Sequence, residues 1–80
     1  MEIVVQSIIT EYSEYDLHTA QIDAVMAYHN ERVDNAARSL PDVPCVENDT
    51  FWRHVHRDDE WIYEVVTELE WDMTAVLRVG

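Results

Sequence analysis

The sequence predicts an α+β domain in which a small antiparallel sheet, in β-α-β-β-β order, carries one long amphipathic helix packed on one face. Three observations lead there. Residues 2–12 (EIVVQSIITEY) are rich in β-branched side chains, which suit a pleated strand. Apolar residues recur at helical spacing through Ile22, Val25, Met26, His29, Val33, Ala36, Ala37 and Leu40. From Trp61 to Val79 every odd position is apolar or Thr, the period-two pattern of a sheet.

In the first strand both faces carry apolar groups, Ile3, Val5 and Ile9 on one and Val4, Ile8 and Tyr12 on the other, as an interior strand requires. Ser13 is placed to cap a helix, with Asp16 three positions on beside the positive end of the dipole. The helix is expected over about 15–39, with Asp23, Asn30, Glu31, Asp34 and Arg38 on its polar side, and it stops before Pro41. Pro41 and Pro44 bias their predecessors toward extended backbone, so the stretch to Thr50 reads as a surface loop.

A further strand is expected at 50–56, with Phe51, Arg53 and Val55 on one side and Trp52, His54 and His56 on the other. Arg57-Asp58-Asp59-Glu60 then forms a hairpin connection. Alternation from 61 to 79 is too long for one ordinary strand, so two are expected, about 61–67 and 71–79, joined by a tight turn. The rival is a helix carrying Trp61, Ile62, Val65, Val66, Leu69 and Met73, capped by Asp58; alternation accounts for more positions.

Eighty residues form one domain, 1–80, and a chain of this size buries only roughly 60% of the surface its unfolded form exposes. A deep catalytic cleft would remove core from so small a domain. Charge is the dominant compositional feature. Seventeen acids oppose five basic residues, all Arg, for a net charge of -12. No basic patch can be assembled to neutralise phosphates, so direct nucleic-acid or anionic-membrane binding is not expected, whereas basic protein surfaces are attracted. Acidity that only keeps the chain soluble, or reflects a salt-adapted or GC-rich source, is the competing explanation.

Cys45 is the single cysteine, so no intramolecular disulfide forms, as suits a reducing compartment. Its place after Pro44 reads as a passive thiol. The N-terminus lacks the positive region and cleavage site of a signal peptide, and no apolar run approaches the about 20 residues of a membrane span. A cytoplasmic protein is expected, in the host cytoplasm if phage-encoded.

His54-Val55-His56 with Glu60 spells His-x-His-x3-Glu; on a strand both imidazoles share a face and can address one metal. The seven residues resemble the first motif of cupins, but Asn48 and Thr67 occupy the flanking glycine positions and no second His motif follows. His54 to Asp58 likewise resembles the opening of the metallo-β-lactamase motif, with Asp59 where the next His belongs. Exposed strand histidines are the simpler reading, and no metal or cofactor is expected. His29, on the apolar helix stripe, reads as a core histidine satisfied by a hydrogen bond. His18 has no evident partner. With one glycine, at position 80, no phosphate-binding Gly-rich loop can form.

The acidic run carries more information. Asp58, Asp59, Glu60, Glu64, Glu68, Glu70 and Asp72 occur with no basic residue among them. On a strand the even-numbered acids share the face opposite Trp61, Tyr63, Leu69 and Trp71, spaced about 6.6 Å apart. Such a row can imitate a nucleic-acid backbone; a merely solvated sheet face is the plain alternative. In size and charge the chain resembles the small inhibitors that phages direct at host defences, including nucleic-acid-mimicking anti-CRISPR and anti-restriction proteins. That likeness is compositional and confers no site residues. Ile9-Thr10-Glu11-Tyr12-Ser13-Glu14-Tyr15-Asp16-Leu17 is similar to the first helix start of colicin nuclease immunity proteins, without their tyrosine-pair contact segment.

The expectation is therefore a non-enzymatic inhibitor or decoy, whose seven acids from Asp58 to Asp72 block a basic nucleic-acid-binding surface on a partner protein. Two other classes stand beside it. One is a structural or assembly protein forming homo-oligomers, a homodimer included, through exposed aromatics and a sheet edge. The other is a small metal-dependent enzyme built on His54, His56 and Glu60.

Overall fold

The computed structural model describes residues 2–13 and 22–77. Four antiparallel strands and two helices follow in the order β1 (Ile3–Ser13), α1 (Ile22–Ala37), β2 (Cys45–Glu47), β3 (Phe51–Arg57), β4 (Glu60–Asp72) and α2 (Thr74–Leu77). Strand β4 is the axis of the sheet. β1 pairs with one of its edges along its whole length, from Ile3 opposite Asp72 to Ser13 opposite Ile62. The other edge is shared in tandem: β3 pairs with residues 60–66 and β2 with residues 69–71.

This corrects the expected architecture. The fold is mostly sheet rather than a sheet matched by one long helix, and its strand order is β1-β4-β2 with β3 also on β4. The two strands expected at 61–67 and 71–79 are one 13-residue strand that ends at Asp72, after which Thr74–Leu77 is helical. A strand of that length holds because both its edges are hydrogen-bonded, whereas alternation alone says nothing about where pairing stops. β2 lies inside the expected loop. Among the described residues β1 is an edge strand and not an interior one; its Ile3, Val4 and Val5 are left exposed, while Ile8 is buried in the core. Ser13 ends β1, paired with Ile62; the helix start it was expected to cap lies outside the described residues. The helix expected over 15–39 is a 16-residue element from Ile22 to Ala37. Its anticipated start before residue 22, His18, and positions 78 and 79 of the expected last strand lie outside the described residues.

Helix α1 ends where Arg38 N–H still donates to Asp34 O while Ser39 N–H and Oγ both turn back to Ala36 O, so these two of the last carbonyls are satisfied before Pro41. The helix lies over β1 and β4, burying Val25, His29 and Val33. Ile8, Val33, Leu69 and Trp71 form the core, with Ala36, Ala37, Val43, Cys45 and Met73 packed around them. Burial of such side chains stabilises a fold by roughly 1.5–3 kcal/mol each. The Trp71 indole N–H donates to Gln6 Oε1 at 3.0 Å, so its one polar atom is not stranded in the core. Among the described residues no helix is long and apolar enough to cross a membrane.

Candidate functional site

The parity of β4 divides the sheet into two chemically distinct faces. Odd positions turn toward α1: the Thr67 hydroxyl lies 2.8 Å from His29 Nε2, and Leu69 and Trp71 pack on Val33. Even positions, Glu60, Ile62, Glu64, Val66, Glu68, Glu70 and Asp72, therefore point to the opposite, open face. Register adds Ile3, Val5, Ser7, Ile9 and Glu11 from β1, Val46 from β2, and Phe51, Arg53, Val55 and Arg57 from β3. The acids do share a face, but they do not form one uninterrupted row.

Glu64 is removed from the row. Its side chain is 7% exposed, and its two oxygens are taken by Arg53 at 2.9 Å and Arg57 at 3.1 Å. Arg57 also bridges to Glu11 at 3.1 Å, and first Glu11 and then Glu64 hold its guanidinium more firmly protonated than usual. Below this cluster Val66, whose register neighbours are Ile9 and Phe51, is buried on the open face. The middle of β4 is thus neutralised and covered.

Two acidic groups remain on either side. At the hairpin tip Asp58 and Asp59 occupy the two-residue connection between the paired Arg57 and Glu60, with φ of 53° and 61°. Positive φ at both central residues is the signature of a type I′ turn. At the other end Glu68, Glu70 and Asp72 follow one another on the open face, about 6.6 Å apart. Among the described residues none of these three takes part in an ion pair. Asp72 accepts from the backbone N–H of Thr74 at 3.1 Å, and the hydroxyl and N–H of Thr74 hold its carboxyl below the usual carboxylate range. Glu70 sits between Val5 of β1 and Val46 of β2, both more than half exposed. The two groups lie about 26 Å apart, the span of eight strand residues from 60 to 68.

The candidate metal set is not brought together. His54 stacks on Tyr63 at 4.3 Å and leans on Trp61 at 4.5 Å, and His56 meets Trp61 at 4.8 Å, all on the helix side of the hairpin. Glu60 stands opposite Arg57 on the other face. Among the described residues no three His, Cys, Asp or Glu side chains are grouped to hold a metal ion. Burial, followed by Glu47, pushes the Cys45 thiol up, which disfavours the thiolate that nucleophilic chemistry needs.

Sequence reasoning missed Arg53 and Arg57 as partners of Glu64, and Ile3, Val5 and Val46 as apolar neighbours of the remaining acids. The first was within reach: a two-residue turn at 58–59 pairs residues whose numbers sum to 117, which sets Arg53 opposite Glu64. Comparison with protein-family models, curated proteins and solved structures finds no match.

Proposed function

We propose that the protein works by binding rather than by catalysis, its open sheet face occupying a basic nucleic-acid-binding surface on a partner protein. The contact is centred on Glu68, Glu70 and Asp72 with Ile3, Val5 and Val46 around them. Asp58, Asp59 and Glu60 at the hairpin tip make a second, outlying contact, while Glu64 serves the fold. The observation that carries this reading is a run of three carboxylates that, among the described residues, form no ion pair, on a strand clamped from both edges.

Spacing and composition both support it. Carboxylates about 6.6 Å apart are close to the spacing of successive phosphates along one nucleic-acid strand, whose helical path is about twice its rise of about 3.4 Å per nucleotide. The strand is already ordered, so its charges meet a partner without further loss of backbone freedom. Exposed Val5 and Val46 supply apolar contact inside a charged surround, the usual arrangement of a protein interface. A net charge of -12 adds long-range attraction to basic surfaces. Such a decoy suits a phage-encoded inhibitor acting in the host cytoplasm, where the target would be a nucleic-acid-handling defence complex.

The test is competition. An arginine-rich peptide holding a fluorescent oligonucleotide is titrated with the protein, and release is followed by anisotropy. Glu68→Lys with Glu70→Lys should raise the concentration needed for release at least tenfold. Glu31→Lys with Asp34→Lys, an equal charge change on the exposed side of α1, should raise it less than threefold. Equal losses would mean that net charge alone acts, and the reading would fall.

A further inference from the structure

We propose that the protein pairs with a second copy of itself through the free edge of β1, strand against strand about a two-fold axis at Val5. The inference goes beyond the acidic contact and stands on separate observations.

The first is hydrogen-bond parity. Glu2 O accepts from Met73 N–H at 2.8 Å, one residue past the Ile3–Asp72 pair. In an antiparallel ladder that bond sets the even-numbered residues of β1 facing β4. The N–H and C=O of the odd-numbered residues therefore point away from the sheet, along an edge that no described strand covers.

The second is how unequally the two halves of that edge are protected. In the C-terminal half Arg32 of α1 reaches over the edge, donating to Ile9 O and Thr10 Oγ1, each at 2.7 Å. The N-terminal half, Ile3 to Ser7, has no proline, no bulge and no charged side chain, the devices that normally blunt an edge. Ile3, Val4 and Val5 are 45%, 48% and 56% exposed, so apolar surface is presented on both faces of the strand as well as along its backbone.

The third is charge. Ile3–Thr10 is the longest stretch of the sequence without Asp, Glu or Arg. In a chain of net charge -12 it is the place where two copies can meet without like charges at the seam. Beside it, on the helix side, Val4, Gln6, Leu40, Trp71 and Met73 line an open, mainly apolar hollow of about 510 Å³, which receives the side chains of the second copy's strand.

Together these observations fix the register. Hydrogen-bonded pairs across the seam must join odd residues to odd residues. Shifting toward Ile9 would require the carbonyl that Arg32 already holds. The longest pairing that leaves that bond intact sets Val5 against Val5 and Ile3 against Ser7, with about six hydrogen bonds from three reciprocal pairs. Two Cα atoms in such a pair stand about 5.5 Å apart, within disulfide reach.

The experiment combines sedimentation with cross-linking on the full chain. Sedimentation velocity over a micromolar dilution series should report a species of twice the 9.4 kDa chain mass. In a Cys45→Ser background, Val5→Cys should oxidise to a disulfide-linked dimer, whereas Ile3→Cys, displaced from its own copy by four residues, should not. Val5→Lys should give a monomer with unchanged far-ultraviolet circular dichroism. A monomer throughout the series, or a dimer in which Val5→Cys fails to cross-link, would overturn the proposal. Release of oligonucleotide by a protein that stays monomeric would overturn it as well and leave the acidic contact standing; a Val5-linked dimer that releases none would do the reverse.

Discussion

The hydroxyl of Thr67, on the central strand, lies 2.8 Å from Nε2 of His29, a ring with no solvent exposure in the middle of the helix–sheet interface. On its other side Nδ1 meets Thr10 Oγ1 at 2.7 Å, and the hydroxyls are tied onward to Thr50 at 2.6 Å and Arg32 at 2.7 Å. A neutral imidazole has one donor and one acceptor, and two hydroxyls satisfy both. The same network is what allows a polar residue to occupy the apolar stripe of α1.

This ring makes stability depend on pH. Burial, and then the charge of Arg32, holds the His29 pKa below its ordinary value near 6.5. Unfolding exposes the ring and restores that value, so the unfolded state binds the proton more readily. Stability is full above about pH 6.5 and declines as pH falls below it, by up to about 1.4 kcal/mol per pH unit. Urea denaturation between about pH 7.5 and about pH 5.5 measures the decline. His29→Gln keeps a donor and an acceptor but cannot take up the proton, and the part of the slope owed to this residue should disappear.

The pair of arginines on Glu64 predicts a non-additive loss. Arg53 and Arg57 are both about half exposed, so either can be removed while the other still answers the carboxylate. Arg53→Met or Arg57→Met alone should cost about 1 kcal/mol or less. The double variant leaves a buried carboxylate without a partner and should cost about 3 kcal/mol or more. A double-mutant cycle from denaturation curves reads the coupling, and additive single losses would contradict the geometry.

The hairpin tip carries strain that a sequence change can remove. Asp58 and Asp59 both hold positive φ, a region that costs most non-glycine residues about 1–2 kcal/mol, Asn and Asp less. Asp58→Asn with Asp59→Gly, the pair this turn prefers, should raise stability by up to about 1 kcal/mol, seen as an increase in Tm. The same variant deletes two charges from the outlying contact, so oligonucleotide release should weaken by less than that caused by Glu68→Lys with Glu70→Lys.

What could be read from the sequence and what could not follow from the range of each signal. The first strand, the helix stripe at Val25, His29 and Val33, and the hairpin around Asp58 and Asp59 were legible because each is a local pattern. The parity of the acids was legible for the same reason: one strand's alternation fixes which side chains share a face. Strand length and edge order were not, since they depend on what pairs with what. β4 runs unbroken through Thr67–Leu69 only because β1 spans it on one side while β3 and β2 divide the other. Likewise the sequence showed seven acids in a run, but Glu64 leaves that run through residues on a neighbouring strand.

That Glu68, Glu70 and Asp72 act as one fixed negative surface with Ile3, Val5 and Val46 is tested most directly by amide mapping with NMR. Titrating the isotopically labelled protein with an arginine-rich peptide should shift amides at residues 3–7, 45–47 and 68–72 first and most, with weaker changes at 58–60 and little change on the outer side of α1. Shifts spread evenly over the acidic residues of helix, loops and sheet would contradict it.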